Sequence, residues 1–131
     1  ALPPIQLLRD AGVTVFAGND DIRDTWSPYG NADMLERAAL IGWRADFRRD
    51  DQVAIAWDLA SAAGARALGI QDYGLAVGAP ANFFTLCATC IPEAVAGHPP
   101  RHLVFHRGKV VAANGHPLDR PADPAAYAKR N

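Results

Sequence analysis

Hydrophobic positions at the start of the chain predict a helix followed by a buried strand. Pro3 and Pro4 precede the run 5–11, which suits a short helix ending at Gly12. Residues Val13 to Phe16 are β-prone and show no alternation, which is typical of a strand buried on both faces. A helix leading into such a strand indicates an α/β fold.

Residues 18–32 are rich in Gly, Asn and Pro and predict a long loop, after which the apolar positions adopt helical spacing. We expect one helix that begins with a capping box of Asp33 and Glu36 and includes Trp43 in its apolar stripe. A second should be capped by Asp50 or Asp51, and a third should begin at Ser61 and end near residue 69.

After about residue 70 the pattern changes from helices to strands. Residues 82–87 predict a strand, and residues 91–96 predict one or two helical turns. A β-hairpin is expected over residues 102–112, with its turn at Arg107-Gly108. The tail 117–131 carries several prolines and charges and is expected to be extended or disordered.

Composition narrows the functional classes. The 131 residues are 50% hydrophobic and 21% charged with a net charge of −1, which fits a globular chain with a core. A nucleic-acid-binding surface would show a basic excess, which this sequence lacks. A membrane span would need about 18 consecutive apolar residues, and the sequence contains no such run. Two cysteines and no secretory signal fit a cytoplasmic protein. Because the chain begins at Ala1 without Met, we expect processing or a longer parent chain.

Two neighbouring acids, Asp20 and Asp21, follow the predicted buried strand. Active sites of α/β folds collect at the carboxyl ends of such strands, where a carboxylate can bind a divalent metal or act as a general base. Successive residues of an extended chain point to opposite sides, so one acid of the pair would face a cavity. Alternatively, both are turn residues, one bonded within the loop and the other solvated.

Three stretches in order resemble the amidohydrolase superfamily, and specifically the C-terminal part of a cytosine-deaminase-like member. They are residues 12–34, which contain the acid pair and Trp26, residues 61–82, and the hairpin 104–112. The resemblance implies the C-terminal segment of a (β/α)₈ TIM-like barrel, followed by strands of a small composite β-sandwich domain. We expect the barrel part over residues 1–70, the β domain over 71–116 and a tail over 117–131.

In that family a divalent metal, Zn²⁺ or Fe²⁺, is held in the barrel. The resemblance implies that Asp20 is a metal ligand and the catalytic acid that moves a proton from water to the leaving ammonia. It also implies that Asp21 and Trp26 bind the flat ring of a small heterocyclic substrate. The implied reaction is the hydrolytic deamination of a nitrogen heterocycle such as cytosine.

Two departures from the family pattern affect this prediction. Cytosine deaminases often have His where this chain has Asn19, and Asn19 with the following acids also resembles the N-isopropylammelide amidohydrolases of triazine breakdown. The family's other metal ligands are missing, since all four histidines follow residue 97. We therefore expect a fragment that is inactive alone, partners with the missing N-terminal part of the enzyme, and forms a homo-oligomer.

A hypothesis from another functional class is a non-catalytic interaction domain that binds zinc. Cys87 and Cys90 form a Cys-x-x-Cys pair, and His98 and His102 follow. The spacing to the histidines is shorter than in finger-type zinc sites, and cysteine is often simply a small buried residue.

Overall fold

The computed structural model describes residues 2–128 in two compact units. The first comprises residues 2–71 together with Cys90–His98, and the second comprises Asp72–Thr89 together with residues 99–128. Ala1 and residues 129–131, the end of the predicted tail, lie outside the described residues. No helix within residues 2–128 is both long enough and apolar enough to cross a membrane.

The first unit is helical, and its helices match most of the predicted ones. They are α1 Ile5–Asp10, α2 Met34–Arg44, α3 Asp50–Leu59, α4 Ala62–Ala67 and α5 Ile91–Gly97. Helix α5 falls in the range predicted for the β domain, yet it contacts α2 and α3 and belongs to the first unit. Its buried residues Ala94 and Val95 explain this, because they supply an apolar face.

The core of the first unit joins α1, α2 and α3. Ile5, Ile41, Ala56 and Leu59 are buried together, and Val15 packs against them. Ile5, Ile41, Ala56 and Leu59 lie on the inner faces of their helices. The removal of these apolar side chains from water is what holds the three helices together.

The predicted strand Val13 to Phe16 is not a paired strand in the structure, and this prediction is wrong as stated. The segment runs between α1 and the loop and is anchored next to it by Ala17 N–H, which donates to Leu59 O at 2.9 Å. Val13 and Phe16 are about half exposed. A strand needs a neighbouring strand for its backbone hydrogen bonds, and residues 2–128 supply none here.

Local capping differs from the prediction in three places. Asp33 caps α2, but Glu36 accepts from Asn31 Nδ2 at 2.6 Å instead of completing a capping box. Arg49, not Asp50 or Asp51, is the residue preceding α3. Ser61 precedes α4 but donates its hydroxyl to Trp57 O instead of capping.

Trp43 lies outside the apolar stripe of α2 that was predicted to contain it. The buried residues of this helix are Leu35, Ala38, Ile41 and Gly42. One further residue turns the helix by about 100°, so Trp43 leaves this face and is 87% exposed.

The second unit contains a four-stranded antiparallel sheet in the order β1–β2–β3–β4. Its strands are β1 Phe83–Thr85, β2 Leu103–His106, β3 Lys109–Ala113 and β4 His116–Ala122. The rings of Phe83 and Phe105 stack across β1 and β2 with centroids 4.5 Å apart. The predicted hairpin is confirmed as β2 and β3. The tail was expected from residue 117, whereas residues 117–122 belong to a paired strand.

Candidate functional site

Asp20 stands just after the extended segment, in the loop that we call the acid loop (residues 18–32). It has φ 60°, in the left-handed region that residues other than Gly, Asn and Asp rarely adopt. Asp20 is exposed. The carboxylate is therefore accessible to a ligand or to solvent.

Asp21 and Asp24 are brought together within the acid loop. A hydrogen bond between the two carboxyls raises the pKa of Asp21, and partial burial and the neighbouring charge of Asp20 raise it further. The backbone N–H groups of Trp26 and Ser27 lower the pKa of Asp24. Of the two acids, Asp21 therefore holds a proton more readily than Asp24.

Asp24 also determines the shape of the loop tip. Its Oδ1 accepts from Trp26 N–H at 2.8 Å and from Ser27 N–H at 3.0 Å, a turn typical of Asp. Arg23 N–H donates to Tyr29 O at 2.9 Å and closes the tip. Trp26, predicted to contact the substrate, lies on this tip with 88% of its surface exposed, so residues 2–128 do not enclose it.

Asn19, directly before Asp20, is held by helix α2. Its Oδ1 accepts from Arg37 Nη2 at 2.8 Å, and its Nδ2 lies 3.2 Å from Met34 Sδ. Arg37 Nη2 also approaches Asn19 O at 3.5 Å. The residue that marked a departure from the cytosine deaminase pattern therefore links the acid loop to helix α2.

The metal that the resemblance implies needs more ligands than these residues provide. Within residues 2–128, no group of three or more His, Cys, Asp or Glu side chains could hold a metal ion. A catalytic metal usually takes three or more protein ligands. Asp20 has suitable chemistry for one ligand, an exposed carboxylate, but the described part of this chain does not form a complete site.

The predicted site residues are only partly brought together. Asp20 and Asp21 are close enough for the charge of one to affect the other, whereas the Trp26 side chain extends into solvent. The sequence interpretation gave no role to Asp24 or Arg37. The run Asp24 to Pro28 carries the signal of an Asp-initiated turn, but the contact of Arg37 with Asn19, 18 residues away, has no local signal.

The Cys-x-x-Cys hypothesis gains no support from the geometry. Cys87 and Cys90 are both exposed free thiols. They belong to different units, and the described residues include no metal-binding cluster that would contain either of them.

Comparison with known proteins identifies the family. The sequence pattern of the amidohydrolase family matches residues 1–112 of the 131. The chain belongs to the amidohydrolase family. The resemblance inferred from residues 12–34, 61–82 and 104–112, to a cytosine-deaminase-like amidohydrolase, is thereby confirmed.

Two solved structures are similar to this chain. N-isopropylammelide isopropylaminohydrolase from Burkholderia multivorans ATCC 17616 is 48% identical with a TM-score of 0.85, over 89% of this chain and 30% of that one. 5-Methylcytosine deaminase from Klebsiella pneumoniae is 30% identical with a TM-score of 0.78, over 92% of this chain and 30% of that one.

A curated relative gives the same picture. N-isopropylammelide isopropyl amidohydrolase from Pseudomonas sp. (strain ADP) is 32% identical over 111 residues, which cover 84% of this chain. This amidohydrolase chain spans 27% of that relative's length.

Proposed function

We propose that this chain is the C-terminal part of a metal-dependent aminohydrolase that removes an amino or alkylamino group from a nitrogen heterocycle. In this proposal, residues 1–70 complete a (β/α)₈ barrel and the strands of the second unit contribute to a small β-sandwich domain. The observation that carries the proposal is the exposed Asp20, whose backbone has a left-handed φ just after the extended segment.

The rest of the enzyme is the first partner that we propose. Val13 and Phe16 are half exposed. A cavity of about 280 Å³ is lined mostly by apolar side chains such as Val15 and Leu40, together with Arg37 and Arg44. Neighbouring strands would cover this surface and satisfy the backbone groups of the extended segment. By itself the chain would be inactive. We also propose that the whole enzyme forms a homo-oligomer in the cytoplasm.

Asp20 would carry out the proton transfers of the reaction. Its carboxylate accepts a proton from the water that adds to the ring carbon, and it returns that proton to the nitrogen as the carbon–nitrogen bond breaks. The products are the hydroxylated or oxo heterocycle and free amine or ammonia. Asp21 would lie beside the ring, and Trp26 can pack on the ring once the site is closed.

A bound Zn²⁺ or Fe²⁺ would make water a better nucleophile by lowering its pKa. Among the residues of this chain, Asp20 is the one that would hold it.

Two substrate classes follow from different observations. The 48% identity to the N-isopropylammelide enzyme, against 30% to the 5-methylcytosine enzyme, favours an N-alkylamino triazine. Asp21 favours a cytosine, because the resemblance places an acid near the ring in cytosine deaminases, whereas Asn can occupy this position in the triazine enzymes. A small aminated six-membered heterocycle satisfies both observations.

The test is a release assay on the whole protein with N-isopropylammelide, cytosine and 5-methylcytosine. Isopropylamine or ammonia should form from at least one of them. Replacement Asp20→Asn should lower kcat by roughly 10²- to 10⁴-fold, the range for loss of a general acid–base group. The metal content of the purified protein should fall in the same variant.

Asp72→Asn is the matched control, since Asp72 is an exposed acid in the other unit and should not affect turnover. The proposal is wrong if none of the three compounds releases amine, or if Asp20→Asn keeps the kcat of the unmodified protein.

A further inference from the structure

We infer that Arg37 of α2 is a positioning residue that fixes the left-handed backbone of Asp20 through Asn19. This inference rests on the proposed role of Asp20 and adds a residue to it. Arg37 Nη2 donates to Asn19 Oδ1 at 2.8 Å and approaches Asn19 O at 3.5 Å, so one side chain binds both the amide and the backbone of the residue before Asp20.

Contacts of the neighbouring residues restrain the Asp20 backbone. Asp tolerates a φ of 60° better than most residues do, but this conformation is still uncommon and is favoured here by those contacts. On the N-terminal side of Asp20, the contacts of Asn19 with Arg37 and Met34 supply this restraint. On the C-terminal side, Gly30 lies against the backbone of Asp21. The left-handed backbone of Asp20 is thus restrained through both of its neighbours, Asn19 and Asp21.

The environment of Arg37 is unfavourable for an arginine that serves stability alone. Its Nε is buried and has no hydrogen-bond partner within residues 2–128. A buried donor without a partner costs free energy, which an apolar side chain at this position would avoid. The guanidinium is committed to Asn19 through Nη2, and this contact is what an apolar replacement would lose.

Arg37 lies on a capped and well-packed part of helix α2. Asp33 Oδ1 accepts from Leu35 N–H at 2.9 Å and Glu36 N–H at 3.1 Å, which holds the first turn of the helix directly before Arg37. Leu35 and Ala38, on either side of it in sequence, are buried. The Arg37 guanidinium therefore extends from a well-packed helix, and its contact with Asn19 fixes the acid loop relative to that helix.

Arg37→Met and Arg37→Lys in the whole protein test this role, with Arg48→Met as the control. Arg48 is an exposed arginine of the same unit, between α2 and α3, and is not among the residues that line the cavity next to Arg37. Arg37→Met should lower kcat by roughly 10- to 100-fold, since small misplacements of reacting groups have effects of this size, while KM changes little. Arg37→Lys should recover part of the loss because an ammonium can still donate to Asn19. Arg48→Met should leave kcat and KM unchanged.

A double-variant cycle separates positioning from a general loss of stability. If Arg37 acts through Asn19, the kcat of Asn19→Ala with Arg37→Met should be no lower than that of the worse single variant. Independent effects, in which the two fold-changes multiply, would overturn the inference. So would an unchanged kcat in Arg37→Met.

Amide hydrogen exchange provides a readout that needs no substrate. Arg37→Met should accelerate exchange in peptides covering residues 17–33 and leave those of α3 unchanged. Equal acceleration in both regions, or none in the acid loop, would overturn the inference. If the unmodified protein releases no amine from any substrate, the proposed function fails, and the exchange result alone then decides whether Arg37 holds the Asp20 backbone.

Discussion

Gly30 lies directly against the backbone carbonyl of Asp21. A Cβ placed on Gly30 would be 2.8 Å from Asp21 O and 3.2 Å from the Cα of Ile22, closer than real Cβ atoms approach a backbone oxygen. The φ of Gly30 is +98°, which side chains rarely tolerate. The two ends of the acid loop therefore meet at a contact that only glycine allows.

Replacement Gly30→Ala should displace the Asp21 backbone and with it that of Asp20. We expect a local cost of about 1–3 kcal/mol, because both the steric contact and the positive φ oppose the new side chain. In the whole protein, kcat for amine release should fall and amide exchange in the acid loop should accelerate.

Gly18→Ala is the control in the same loop. A Cβ on Gly18 would meet no heavy atom within 4 Å. This variant should retain kcat, and a similar loss in both variants would mean that the Gly30 contact is not what holds the loop.

Local patterns in the sequence were enough to predict the elements whose hydrogen bonds are local. The hairpin β2–β3 follows from its apolar runs and the Arg107-Gly108 turn, and α2 follows from Asp33 and the spacing of Leu35 and Ala38. In both cases the partners of the backbone groups lie within a few residues, so propensity and turn chemistry decide the structure.

Elements that depend on distant partners were not predictable in this way. Strand β4 contains Pro117 and Pro121, which argued against a strand, but β4 is an edge strand, where proline is tolerated. The segment Val13 to Phe16 has the composition of a strand but forms none within residues 2–128, because composition cannot supply a neighbour.

The candidate site shows the same division. Asp20 and Asp21 were identifiable because they follow a β-prone run, whereas Arg37 reaches the loop from another element and only the three-dimensional structure reveals it. The left-handed conformation of Asp20 was likewise invisible in the sequence, since Asp is common in ordinary turns as well.

Asp24 should control the order of the loop tip. Asp24→Ala removes the acceptor for Trp26 N–H and Ser27 N–H, so both amides lose their side-chain partner. Amide exchange in a peptide covering residues 22–30 should accelerate about 5- to 20-fold, because each of the two amides loses a hydrogen bond that protects it. Asp24→Asn keeps Oδ1 and should exchange close to the unmodified rate, and equal rates in the two variants would contradict this role.

Asp33 should contribute to stability as the N-cap of α2. Its Oδ1 accepts from Leu35 N–H and Glu36 N–H, so Asp33→Ala should lower the free energy of unfolding by about 1 kcal/mol. Denaturant unfolding measures the change. Asp33→Ser retains an acceptor and should recover most of the loss. No recovery would indicate that capping is not the source of the effect.

Asp58 connects three helices through two arginines. Its carboxylate on α3 lies 2.8 Å from Arg9 Nη1 of α1 and 2.8 Å from Arg66 Nη2 of α4. Burial raises the pKa of Asp58, but the hydrogen bonds from Arg66 and Arg9 outweigh burial, so the pKa lies below its ordinary value of 3.8. The ionised form is therefore favoured by folding.

The stabilisation by Asp58 should consequently depend on pH in one direction. Because the pKa is lower in the folded state than in the unfolded state, the contribution is complete above the unfolded pKa and is lost as the pH falls through the folded pKa. Asp58→Asn should lower the free energy of unfolding by about 1–2 kcal/mol near pH 7. Urea unfolding between pH 7 and pH 3 should show this difference constant down to about pH 5 and shrinking below about pH 4. A difference that grows on acidification would mean that Asp58 is not stabilised as a carboxylate by Arg9 and Arg66.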